Sequence, residues 1–102
     1  MIPLLENAQD DIRRLCRRYG VIRLSAFGSA VAGDFGSSSD VDFLVEFDAA
    51  LAPVEVAEAF FSLKEALEAR LGRPVELVTP HALSNPWFRQ SIEENEALLY
   101  AA

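Results

Sequence analysis

Between Leu5 and Tyr19 the apolar residues Leu5, Ala8, Ile12, Leu15 and Tyr19 recur at helical spacing. One stripe of a helix is therefore buried, with Gly20 as its stop. Val21 to Phe27 is short, apolar and bounded by glycines, which predicts a first strand. One turn of helix is expected over residues 29–33, then a loop through Gly33-Asp34-Phe35-Gly36-Ser37-Ser38-Ser39. Val41 to Phe47 reads as a second strand. From Pro53, a residue suited to a first helical turn, a longer helix is expected to Leu71, with Val56, Phe60, Leu63 and Leu67 facing inward and Gly72 ending it. Pro74 to Val78 is a short third strand. Thr79-Pro80 and Asn85-Pro86 each pair a capping residue with a first-turn proline, so one or two short helices are expected to close the chain. The pattern is α-β-(α)-β-α-β-α: an α/β (α+β) fold with a small mixed sheet flanked by helices.

With 102 residues, 51% of them apolar, the chain has enough material for one core, so a single domain over residues 1–102 is expected. No apolar run approaches a membrane span, and Met1-Ile2-Pro3-Leu4-Leu5-Glu6 lacks the basic start of a signal peptide. The one cysteine, Cys16, excludes an internal disulfide, fits a reducing cytoplasm and sits one position from the helix stripe, as a small packing residue would. The net charge of −7 is uneven: residues 1–23 hold five arginines (13, 14, 17, 18 and 23) against three acids, and the remaining 79 residues hold four bases against thirteen acids. So acidic a chain should not bind nucleic acid through its general field, and phosphate bound here requires a cation to offset the local charge. The arginines of the first helix, Arg13, Arg14, Arg17 and Arg18, read as a solvated face, partly paired with Asp10 and Asp11, with a partner- or nucleotide-binding role as the alternative. His81, single and beside Pro80, shows no metal spacing and reads as a surface residue. Trp87, Phe88, Phe61 and Tyr100 are expected in the core by default; a cluster of them left exposed would mark a protein-binding surface.

The chemistry lies in one spacing. Gly28-Ser29 is followed by ten residues and then by Asp40-Val41-Asp42, which leads directly into the apolar Phe43-Leu44-Val45. A Gly-Ser pair at a strand end can open a short helix whose free N–H groups hold an anion such as a triphosphate. Asp40 and Asp42, two apart at a strand start, point to one face. Carboxylates beside a phosphate cradle suit Mg²⁺ carrying a nucleotide, which points to nucleotidyl transfer. Glu76 is a carboxylate in the otherwise apolar strand Val75-Leu77-Val78, where such a residue wants a partner or a function.

Ala26-Phe27-Gly28-Ser29, Gly33, Ser39-Asp40-Val41-Asp42-Phe43-Leu44-Val45 and Val75-Glu76-Leu77-Val78 resemble the minimal nucleotidyltransferases, the compact branch of the polymerase-β-like superfamily. The resemblance spans about residues 5–95 and implies that fold. It implies that Ser29 and the Gly28 backbone bind the nucleotide's terminal phosphates. Asp40 and Asp42 would ligate one or two Mg²⁺ ions, and Glu76 would be the third metal and catalytic carboxylate. It further implies ATP as substrate and a HEPN-type toxin as partner, silenced by transfer of AMP to a tyrosine hydroxyl. Three departures accompany it. Glutamate stands at 76 where the family usually has aspartate, which shifts the carboxylate by roughly one C–C bond and bears on turnover more than on binding. Ala30, Val31 and Ala32 occupy positions where many relatives carry an arginine. The extra acceptor-holding domain of antibiotic-modifying relatives is missing, so the acceptor must come on a partner or a second subunit. The alternative reading is a non-catalytic antitoxin, a binding module that neutralises its partner by complex formation.

Overall fold

The computed structural model describes residues 1–32, 36 and 40–102, with Phe88 described by its backbone only. The expected loop, with Gly33 and the serine run at 37–39, lies outside the described residues except for Gly36. The chain forms α1 (Pro3–Asn7), α2 (Gln9–Arg18), β1 (Val21–Phe27), α3 (Ser29–Ala32), β2 (Val41–Phe47), α4 (Pro53–Leu71), β3 (Val75–Val78), a 3₁₀ turn (Pro80–Ser84), α5 (Pro86–Glu94) and β4 (Glu96–Ala101). The four strands make one sheet in the order β3-β2-β1-β4. β1 is antiparallel to both β2 and β4, and β2 is parallel to β3, so the sheet is mixed.

The helix expected from Leu5 to Tyr19 is broken at Ala8, where φ is −99° and ψ is 2°. The Ile2 N–H donates to the Ala30 carbonyl at 3.0 Å, which ties the start of the chain to α3. The stripe survives the break, shifted by one position: Leu5, Ala8, Ile12 and Cys16 are fully buried, whereas Leu15 and Tyr19 are partly covered. Burial pushes the Cys16 thiol up to about 12, so it packs as a small apolar group and stays unreactive.

The start of α4 is secured by the Ala52 N–H, which donates to Glu55 Oε1 at 2.9 Å. At its end Glu68 Oε2 accepts from the Val75 N–H at 3.0 Å, fixing the entry to β3. Leu63, Leu67 and Leu71 are buried against the sheet, with Phe60 partly buried beside them. Leu67→Ala leaves a void in the main core, where Leu67 is fully buried, and is expected to cost about 2–5 kcal/mol in a urea titration. α1, α2 and α4 cover one sheet face, onto which Val41, Phe43 and Val45 of β2 point. The opposite face carries a smaller cluster of Phe27, Leu44, Val78 and Ile92, covered by the 3₁₀ turn and α5.

Three further expectations need correction. The chain does not finish in helices: β4 follows α5 and pairs with β1. Glu-Ala-Leu-Leu-Tyr-Ala has neither alternation nor β-branched residues, so only the free edge of β1 makes it a strand. Trp87 and Phe61 are not core residues; they are 80% and 64% exposed. The caps also differ: Asn85 Oδ1 accepts from the Trp87 N–H at 2.9 Å, as expected, but the Thr79 side chain makes no capping bond. No described helix is long and apolar enough to cross a membrane.

Candidate active site

Because β1 and β2 are antiparallel, the end of β1 lies beside the start of β2, and Phe27 pairs with Asp42. Because β2 and β3 are parallel, Asp42 pairs with Glu76 on its other side. Alternation then decides the faces. Val41 and Phe43 enter the main core, so Asp42 between them points to the opposite face, and Glu76 between Val75 and Leu77 does likewise. Asp42 is half-buried, Glu76 is exposed, and Asp40 is exposed just before β2. The topology thus brings Glu76, distant in sequence, to the Asp40–Asp42 pair at one end of one face.

Gly28 makes the junction possible. Its φ is +72°, a left-handed conformation that side chains resist, and a Cβ there would lie 2.7 Å from Asp42 Oδ2. The missing side chain therefore both permits the turn out of β1 and leaves room for the Asp42 carboxylate. The turn delivers the chain into α3, whose first internal bonds run from the Val31 and Ala32 N–H groups to the Gly28 carbonyl at 3.1 and 3.0 Å. The N–H groups of Ser29 and Ala30 precede those bonds and have no acceptor within the helix. Ser29 is partly exposed and Ala30 is buried.

The electrostatics match the crowding. Burial, with the Glu76 and Asp40 carboxylates nearby, pushes Asp42 up to about 6 from an ordinary 3.8. Among the described residues no three acidic, histidine or cysteine side chains are close enough to grip an ion as they stand. The carboxylates feel one another without converging. Such hard oxygen donors, held near each other at an energetic cost that a cation would relieve, fit Mg²⁺. The neighbouring Asp residues and Gly28-Ser29 were visible in the motif. Arg73 was not: it donates through Nη2 to the Gly36 carbonyl, tying the entry of β3 to the segment that leads to Asp40. The Val41 N–H donates to the Pro74 carbonyl at 3.0 Å alongside. A lone arginine before a proline carries no sequence signal for such a contact. His81 is exposed, as expected of a surface residue.

Residues 12–100 match the family described as "Nucleotidyltransferase domain". The chain is 38% identical over 73 residues to the protein adenylyltransferase MntA of Thermococcus cleftensis, covering 72% of this chain and 70% of that one. A solved structure assigned provisionally as a minimal nucleotidyltransferase is 31% identical, with a TM-score of 0.70 over 94% of this chain and 95% of the other. The antitoxin in a Shewanella oneidensis complex of MNT antitoxin with tri-AMPylated HEPN toxin shares the fold: its TM-score is 0.61 at 20% identity, over 95% of this chain and 72% of that one. A glycine turn beside paired carboxylates and matches that span almost the whole sheet lead to one assignment: this chain belongs to the nucleotidyltransferase domain family, among the minimal members that include protein adenylyltransferases.

Proposed function

We propose that this nucleotidyltransferase is a single-domain (residues 1–102), Mg²⁺-dependent antitoxin of the cytoplasm. In this reading it transfers AMP from ATP to a tyrosine hydroxyl of a HEPN-type toxin. The observation that carries the reading is the junction of Gly28, Asp42 and Glu76: a turn that only glycine accommodates, against a carboxylate held between two others. The partner and the AMP product are supported by the adenylyltransferase relative and by the AMPylated toxin in the Shewanella complex.

Asp40 and Asp42 would hold the metal with Glu76 beside them, and the metal would supply charge neutralisation for the triphosphate. Ser29 and the N–H groups at the start of α3 bind the terminal phosphates. The acceptor oxygen attacks the α-phosphorus, the bond from that phosphorus to the bridging oxygen breaks, and pyrophosphate leaves. Glu76 takes the hydroxyl proton. Glu76→Gln is therefore expected to lower kcat by roughly 100-fold with little change in the KM for ATP, as loss of a general base does. Equal kcat for both proteins would remove Glu76 from the mechanism.

The test is the intact mass of a purified HEPN-type partner after incubation with this chain and Mg·ATP. Added AMP, absent with Asp42→Asn, is the expected result. A second reading, neutralisation by binding alone, is favoured by one observation: α3 carries Ala30, Val31 and Ala32 and no basic side chain for phosphate. Under it, the partner's mass stays unchanged and a chain with both Asp40→Asn and Asp42→Asn still silences the toxin.

A further inference from the structure

Among the described residues β4 is the outermost strand on its side of the sheet and pairs with β1 alone. The ladder steps from Leu24–Tyr100 to Ser25–Leu98, which leaves Leu99 as a bulge without a β1 partner. The Leu99 carbonyl is instead contacted by Arg13 of α2, whose Nε donates to it at a long 3.4 Å. α2 and the edge enclose a shallow groove of about 390 Å³, lined by Arg13, Arg17, Leu98, Leu99, Tyr100 and Ala101.

The groove is cationic in a chain of net charge −7. Among the described residues Arg13 pairs only weakly, with Asp10 at 3.9 Å, which is itself 93% exposed. Arg17, one turn further along α2, makes no ion pair among the described residues. An arginine at a sheet edge commonly guards it against stray pairing. Guarding does not call for Leu98, 55% exposed on the same strand. A second copy of this chain is a poor occupant: two β4 edges brought together would set the Arg13 and Arg17 groups of both copies against one another.

We propose that the β4 edge is a docking site for an extended acidic segment of the partner protein. The segment adds as a fifth strand, its carboxylates meeting Arg13 and Arg17 and an apolar side chain resting on Leu98. This rests on the reading that the chain acts on a partner protein. The surface lies on the β4 side of the sheet and is separate from the carboxylate junction between β1, β2 and β3.

The test is calorimetric binding of a purified HEPN-type protein to the wild-type chain, to Arg13→Glu with Arg17→Glu, and to Leu98→Asp, with Arg89→Glu as a charge-reversal control on α5. Hydrogen exchange at residues 97–101 is followed in parallel. Both edge variants should bind about tenfold or more weakly. The control should bind as the wild type does, and the 97–101 amides should gain protection in the wild-type complex. A complex of unchanged affinity in the edge variants, with those amides unprotected, overturns the docking site and leaves the partner reading standing. No complex with the wild-type chain defeats both.

Discussion

Asp42→Asn should reduce nucleotidyl transfer by roughly 100- to 1,000-fold or more, the loss expected when a group placed to stabilise developing charge is removed, and should make the protein more stable. The two effects share one origin. Asp42 is half-buried between Glu76 and Asp40, and its carboxyl is pushed up to about 6 from 3.8. Between those two values the folded chain binds more protons than the unfolded chain, so stability rises as pH falls from about 6 towards 4. Above pH 6 the destabilisation from the buried charge is fully present. Asparagine removes it while keeping the shape. Allowing for partial exposure, a gain of about 1 kcal/mol is reasonable, or about 4–8 °C in Tm. The comparison belongs at pH 7.5 in a chelator, with a second melt near pH 4, where the difference between the proteins should vanish. A variant that is less stable than wild type at pH 7.5 would show that Asp42 is a structural ligand of its neighbours and not a strained site. At limiting Mg²⁺, transfer by the wild type should fall about tenfold per pH unit below 6, and added Mg²⁺ should restore it, because cation and proton compete for one carboxylate.

Gly28→Ala is the second large effect. The substitution meets two obstacles at once: a φ of +72° and an approach of 2.7 Å to Asp42 Oδ2. The backbone strain costs on the order of 1–3 kcal/mol. The clash has to be relieved by moving the Asp42 carboxylate, and a shift near 1 Å in a reacting group costs roughly 100-fold in rate. Both stability and kcat should therefore drop, in contrast to Asp42→Asn, where only activity does. Circular dichroism melts and single-turnover transfer measure the two separately. Full activity in a folded Gly28→Ala chain would mean that Asp42 does not need the position it holds here.

How far these features were readable before folding depends on whether they were written locally. Gly28-Ser29, Asp40 and Asp42 carry their own spacing, and the alternation of Val41, Phe43 and Val45 already assigns Asp42 to the other face. The helix stripe was nearly right, but within α2 it is Cys16, one turn on from Ile12, that is fully buried and Leu15 that is only partly covered. β4 was invisible, since Glu96-Ala97-Leu98-Leu99 has the composition of a helix and becomes a strand only by pairing with β1. The juxtaposition of Glu76 with Asp42 is likewise a fact of parallel pairing and not of spacing. Arg73 reaching Gly36 depends on the entry of β3 lying beside the start of β2, which no motif encodes.

The most direct test of the central claim is a crystal structure of this chain with Mn²⁺ and a non-hydrolysable ATP analogue, read by the anomalous signal of the metal. The account predicts a metal peak ligated by Asp40 and Asp42, with Glu76 facing it and the terminal phosphates on Ser29 at the start of α3. A nucleotide bound away from the Gly28 turn, or a metal that leaves Asp42 unligated, would contradict it.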